Sequence, residues 1–239
     1  MVRFPWRKKI KPLPRDYDGL STRIYRAVEG LTMTSPERVL STIEAIKYVV
    51  RHEIEGAIVE CGVWKGGSVM AMALTLNELG DNERDIYLYD TFSGMSAPTD
   101  VDISYKGANA QEEFSEKKIS ADSSDWCLSP IEEVKSNVYS TGYPSDKFHF
   151  IAGKVEDTIP ANAPDTISLL RLDTDWYEST KHELIHLFPR VSPMGVIIID
   201  DYGYWRGARK AVDEYISEHN LCLFLSRIDY TGRLAIKMP

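Results

Sequence analysis

Ala57-Ile-Val-Glu60-Cys-Gly62-Val-Trp-Lys-Gly66-Gly67 is the stretch that decides how this chain folds. Ala57 to Glu60 reads as a short buried strand, since a continuous apolar run bounded by glycine suits a strand covered on both faces. Gly62 to Gly67 is a glycine-rich turn, and Ser68 to Leu79 follows as a helix. Gly62 lets the backbone turn tightly, while Gly66 and Gly67 let a ligand lie against the chain. The helix start leaves N–H groups free for a carboxylate or a phosphate. The ExGxxxGG spacing, with its leading acid, differs from the dinucleotide GxGxxG, and the P-loop lysine is missing.

Outward from this unit, strands and helices alternate. Further strands are expected at Asp85–Asp90, Phe148–Ile151, Ile167–Leu172 and Val196–Ile199, with helices at Ile131–Tyr139, Glu178–Phe188 and Gly207–His219. Ahead of the glycine turn, Ser35-Pro36-Glu37 opens a helix, serine as cap and proline in the first turn. Val39, Ile43, Ile46 and Val50 recur behind it at helical spacing. Two last strands, near Leu221–Ser226 and Arg233–Lys237, form an antiparallel edge hairpin. The fold class is therefore α/β: a doubly wound, seven-stranded, mostly parallel sheet with an antiparallel C-terminal edge.

The chain has 239 residues, 43% of them hydrophobic, enough for one substantial core. One domain is expected over 31–239, preceded by a basic tail at 1–30. The polar stretch 93–146 breaks the strand–helix rhythm and reads as a partly mobile lid insertion over the ligand end of the sheet. The net charge of −8 argues against nucleic acid as the partner. Cys61, Cys127 and Cys222 are odd in number and share no close spacing, as in a reduced, cytoplasmic protein. No signal peptide and no transmembrane segment is legible.

Acidic residues mark the strand ends. Asp90 closes the second strand, where an acid in a doubly wound sheet commonly accepts hydrogen bonds from ribose hydroxyls. With Glu60 and the turn, it points to an adenosine-bearing cofactor. Asp173-Thr-Asp175 follows the fourth strand and Asp200-Asp201 the fifth, so four carboxylates gather at the carboxyl edge. Like charges so close need a cation, and oxygen ligands select a hard ion such as Mg2+ or Ca2+. Asp175-x-x-Glu178 is also a capping box for the helix behind it. His182-Glu183-Leu-Ile-His186 matches the HExxH pattern of zinc proteases. Here its helix joins two parallel strands, with an apolar stripe of Tyr177, Leu184, Ile185 and Phe188, far from the acidic edge, so zinc proteolysis has no support. A serine-hydrolase elbow is absent as well.

Ile58-Val-Glu-Cys-Gly-Val-Trp-Lys-Gly-Gly67, Tyr89-Asp-Thr-Phe-Ser-Gly94, Leu170-Arg-Leu-Asp-Thr-Asp-Trp-Tyr-Glu-Ser-Thr180 and Ile199-Asp-Asp-Tyr-Gly203 together resemble the macrocin O-methyltransferase family. Pro189-Arg-Val-Ser-Pro-Met-Gly195 resembles that family's turn before its fifth strand. The resemblance runs from about Leu31 to the C-terminus. It implies a Rossmann-like class I methyltransferase fold, S-adenosylmethionine, Mg2+ or another hard divalent cation, and a sugar hydroxyl as methyl acceptor on a small molecule or glycan. By position, Glu60, Gly62 and Gly66 would shape the methionine pocket and Asp90 would hold the ribose. Phe92 and Val155 would lie near the adenine, and Met33 would close over the cofactor. Asp173, Asp200 and Asp201 would bind the metal, with Asp173 also the catalytic base. The 93–146 segment departs from the family in length and polarity, and is expected to contact the acceptor. A homo-oligomer is consistent with the resemblance. An aromatic diol acceptor, as in catechol-type O-methyltransferases, stays open, as does an inactive methyltransferase-like binding scaffold. The ExGxxxG spacing and acidic strand ends disfavour a nicotinamide-dependent reductase.

Overall fold

The computed structural model describes residues 13–239, so residues 1–12 of the expected basic tail lie outside the described residues. Five parallel strands form the centre of the sheet: β1 (Ala57–Cys61), β2 (Ile86–Asp90), β3 (Phe148–Ala152), β4 (Ile167–Leu172) and β5 (Val191–Ile199). β6 (Ser226–Arg227) and β7 (Arg233–Ile236) complete the order β3-β2-β1-β4-β5-β7-β6, with β7 antiparallel to both neighbours. The seven-stranded, mostly parallel arrangement with its antiparallel C-terminal edge is as expected. β6 is shorter than the sequence suggests, because Leu221–Leu225 runs beside the sheet without pairing.

Both faces of the sheet are covered, which is why its strands read as unbroken apolar runs. Ile58, Leu88, Leu169 and Ile198 point to one face, where they meet Ile43, Ile46, Leu76 and Met72. Val59, Tyr89, Leu170 and Ile197 point to the other, where they meet Leu184, Leu187, Phe188 and Tyr215. Each such aliphatic side chain contributes about 1.5–3 kcal/mol on burial.

Helices α2 (Pro36–Arg51) and α3 (Gly67–Leu79) cover the first face. Ser35 caps α2 as expected, its hydroxyl accepting from the Arg38 N–H at 3.1 Å. α1 (Gly19–Val28) packs against α3 and buries Ile24 and Val28 in the core. The folded domain therefore starts well before Leu31, and residues 19–28 are not a tail.

The stretch between β2 and β3 holds α4 (Ala110–Lys117) and α5 (Ile131–Tyr139). α5 buries Val134 and Val138 against α3, so it is the crossover helix of the sheet. The segment before it is anchored at buried points. Met95 donates its N–H to the Trp126 carbonyl at 2.8 Å, and Trp176 donates its indole N–H to Ser96 at 3.1 Å. Trp126, Trp176 and Trp205 meet edge-on, with centroids 5.0–6.2 Å apart.

α6 (Val155–Thr158), α7 (Tyr177–Leu187) and α8 (Arg206–Glu218) complete the fold. In α7 the buried residues are Ser179, Thr180, Glu183, Leu184 and Leu187, while Ile185 is exposed, unlike the stripe read from spacing. Among the described residues no helix is long and apolar enough to cross a membrane.

Candidate active site

Strand order reverses between β1 and β4: the chain winds outward through β2 and β3, then returns to β1's other side. A crevice opens outside the carboxyl ends of the strands at such a switch point. Here it is a cavity of about 430 Å³, lined from β1, β2, β4 and β5 and from the loop carrying Thr32 to Thr34. That volume lies in the usual range for small-molecule sites.

The glycine turn is held from below. Asp90 Oδ2 accepts from the N–H groups of Val63 and Trp64 at 2.8 and 3.1 Å, and Oδ1 from Phe92 at 2.7 Å. Burial pushes the Asp90 carboxyl up, and these three N–H groups hold it back. Gly62 sits at φ +81°, and a Cβ there would stand 2.1 Å from the Asp173 carbonyl oxygen. A Cβ on Gly66 would stand 3.0 and 3.2 Å from the Val138 and Val134 side chains of α5, and one on Gly67 would stand 2.4 Å from the Leu31 carbonyl oxygen. These glycines admit neighbouring chain, whereas the sequence suggested that Gly66 and Gly67 make room for a ligand.

Parallel register sets Glu60 beside Arg171. Arg171 is 1% exposed and donates to Glu60, to Asp173 at 2.6 Å and to Asp200. Burial pushes the Glu60 carboxyl up to about 7, against the pull of Arg171. Glu60 Oε2 is buried, without a partner, in the residue that lines the cavity. It is an acceptor ready for a donor such as an ammonium group.

The acids divide into two sets. Asp173, Asp175 and Asp201 bring carboxylate oxygens within 4.8 Å of one another. Burial and mutual repulsion push Asp173 and Asp175 up to about 7, and Asp201 well above its ordinary value. Asp201 Oδ2 is buried and unpartnered. Three convergent hard oxygens, one of them orphaned, fit a divalent cation of the Mg2+ type. Asp200 stands outside this set: its two oxygens accept from Arg171 and Arg38. The sequence grouped Asp200 with Asp201, but adjacent residues at a strand end point to opposite sides.

Asp175 takes the place given to Asp200. It is left-handed, φ +70°, and does not cap α7 as its spacing suggested. The Tyr177 N–H at the head of α7 is met instead by Asp102, at 2.8 Å. Met33 and Val155 line the cavity, Met33 well exposed and Val155 buried. Phe92 is buried in the core beside Phe150, outside the lining. His182 bonds the Ile159 carbonyl at 3.0 Å, and Glu183 is buried against the Thr174 hydroxyl at 2.9 Å, so the HExxH residues form no metal set.

Sequence reasoning passed over Arg171, Arg38 and Asp102. Arg171 carried a signal: an arginine inside an apolar strand run must find buried partners. Arg38 carried none, its partners Asp200 and Asp229 being 162 and 191 residues away.

Comparison with known proteins now adds the family. A family model described as macrocin-O-methyltransferase (TylF) matches residues 21–235. An 8-demethyl-8-(2,3-dimethoxy-alpha-L-rhamnosyl)-tetracenomycin-C 4'-O-methyltransferase of Streptomyces olivaceus is 32% identical over 201 residues, 84% of this chain and 73% of that protein. A demethyldecarbamoylnovobiocin O-methyltransferase of Streptomyces niveus is 30% identical over the same shares. Among solved structures, the O-methyltransferase NovP superposes with a TM-score of 0.75 at 28% identity, covering 87% of this chain and 82% of that one.

Proposed function

The chain belongs to the macrocin-O-methyltransferase (TylF) family, and on that premise we propose that it methylates a hydroxyl of a sugar carried by a small molecule or glycan, with the help of a divalent cation. The observation that carries this reading is the convergence of Asp173, Asp175 and Asp201 within 4.8 Å, beside the unpartnered oxygen of Glu60.

S-adenosylmethionine supplies a methyl group already activated by the sulfonium charge, so the protein's work is positioning and exclusion of water. Glu60 Oε2, buried and without a partner, would accept from the amino-acid end of the cofactor. Asp90 keeps the glycine turn in shape and, with three N–H groups already bound, has one acceptor position left for a ribose hydroxyl. Met33 and Val155 supply apolar contact within the cavity. Asp173, Asp175 and Asp201 would hold the cation, which would supply the positive charge that lowers the acceptor hydroxyl's pKa. Asp173, already tied to Arg171 and pushed up to about 7, accepts the hydroxyl proton on a carboxylate oxygen. Asp200 balances Arg38 and Arg171 next to this set. Residues 93–130 cover the site, contributing Met95, Glu113, Trp126 and Cys127 to its wall.

Asp173→Asn tests the assignment. Turnover should drop by about 10²–10⁴, while calorimetric affinity for S-adenosylhomocysteine stays within about threefold. Equal loss of both would remove Asp173 from the chemistry. Calorimetry with S-adenosylhomocysteine, in Mg2+ and in EDTA, tests the cofactor directly; absence of binding in both would end the methyltransferase reading.

A further inference from the structure

Glu183 is fully buried on α7, on the face it shares with Leu184 and Leu187, and no step of the chemistry proposed above uses it. Its Oε1 accepts from the Thr174 hydroxyl at 2.9 Å, and its Oε2 is buried without a partner. Burial pushes this carboxyl well above its ordinary range, and the Thr174 hydroxyl holds it back. An apolar side chain would fill the same face without the cost of desolvating a carboxyl. A buried polar group so sparsely partnered calls for a reason, and Thr174 supplies one.

Thr174 stands between two members of the acidic set. Asp173 and Asp175 bring carboxylate oxygens within 4.8 Å of each other and of Asp201. The Thr174 hydroxyl turns instead into α7. A hold on that side chain restrains the peptide units on either side of it, and those units carry the two acids.

The backbone here needs such a hold. Asp173 donates its N–H to the Cys61 carbonyl at 2.8 Å, which fixes the start of the loop to β1. Beyond it, the Trp176 N–H donates to the Thr174 carbonyl at 2.9 Å across Asp175, whose φ is +70°. An i to i+2 hydrogen bond over a residue of positive φ is the rare, strained form of the γ-turn. A non-glycine residue keeps such a conformation only where its surroundings impose it. Glu183 grips the residue at which this turn begins.

We propose that Glu183 is a positioning residue for the cation: by holding the Thr174 hydroxyl on the α7 side of the loop, it keeps Asp173 and Asp175 turned together towards Asp201. The proposal rests on the cation reading above. It gives the acid of the His182–His186 pattern a use that involves no zinc.

Mn2+ binding to the cofactor-free protein, read from the electron paramagnetic resonance of free Mn2+, tests this without turnover. Mn2+ favours the same oxygen ligands as Mg2+. Glu183→Leu and Thr174→Val should each weaken binding by about 10–100-fold, the usual effect of losing a group that orients a metal ligand. Glu183→Gln, whose amide oxygen still accepts from Thr174, should stay within about threefold of the parent. Thr174→Val/Glu183→Leu removes both polar partners together, so its Tm in EDTA should stay within about 4 °C of the parent. Its Mn2+ affinity should nonetheless be low, and no lower than that of the weaker single variant.

Parent-like Mn2+ affinity in the double variant overturns the proposal, as does a Glu183→Gln variant as weak as Glu183→Leu. Weak binding accompanied by a Tm lowered beyond that range assigns Glu183 to packing and overturns it too. A parent protein that binds no Mn2+ brings down the cation reading and this proposal with it. Mn2+ bound equally by parent and double variant removes only the role of Glu183.

Discussion

Arg171→Met should destabilise the protein severely, and more so at higher pH. The guanidinium is the shared partner of Glu60, Asp173 and Asp200, whose side chains are 1%, 24% and 4% exposed. Methionine keeps roughly the length and apolar stem of arginine but removes the charge. Asp200 retains Arg38, so its loss is partial, while Glu60 is left with both oxygens buried and no cation. Breaking a buried pair from one side costs about 3–5 kcal/mol. In a chain of 239 residues each kcal/mol moves Tm by roughly 2–4 °C, so the midpoint should fall by about 6–20 °C. Protonation can relieve part of this. Glu60 already stands at about 7 with Arg171 present, and without it goes higher. A carboxyl with a raised folded-state pKa contributes stability that is fully present at low pH and lost as pH rises through that value. The deficit should thus be smaller at pH 6 than at pH 8. Scanning calorimetry at both pH values checks this. A variant melting within 2 °C of the parent at pH 8, or equally impaired at both, would refute the role given to Arg171.

Without a divalent cation, the parent protein should also lose stability between pH 6 and 8. Asp173 and Asp175 rise from 3.8 to about 7 on folding, so their contribution is full below 3.8 and disappears through pH 7. Adding Mg2+ should flatten the profile, and a midpoint that rises with pH in EDTA contradicts the picture. Gly62→Ala should abolish cofactor binding, because φ +81° costs about 1–2 kcal/mol for alanine and its Cβ would enter the Asp173 carbonyl; calorimetry showing near-parent affinity would count against it. Asp102→Ala should loosen the covering segment. Asp102 accepts from Thr99 N–H and hydroxyl and from Tyr177 N–H, and loss of such a cap costs about 1–2 kcal/mol. Proteolysis between residues 96 and 110 should then quicken, and unchanged cleavage rates would speak against the anchor.

Ile58-Val59 and Ile197-Ile198 were legible as strands because both sheet faces demand apolar side chains, so pattern and burial coincide. Asp173 and Asp201 could be placed at the ligand edge because a parallel sheet sends every strand's carboxyl end there. The lid boundary was harder. Ile131–Tyr139 has a helical pattern, yet nothing local says that Val134 and Val138 face Gly66 at the head of α3. Spacing alone made Asp175 a helix cap, while the cap came from Asp102, 75 residues away.

By itself the sequence determined the alternation of strands and helices, the glycine turn between Glu60 and Gly67, and the family to which they point. These follow from local terms, namely hydrophobic period, backbone freedom and the chemistry of short motifs. The tertiary structure decided which acids act together. Asp200 went to Arg171 and Arg38, and Asp175 joined Asp173 and Asp201. The reason is geometric: a carboxylate's partner depends on which side of a strand end it leaves, and on guanidinium groups brought from far along the chain.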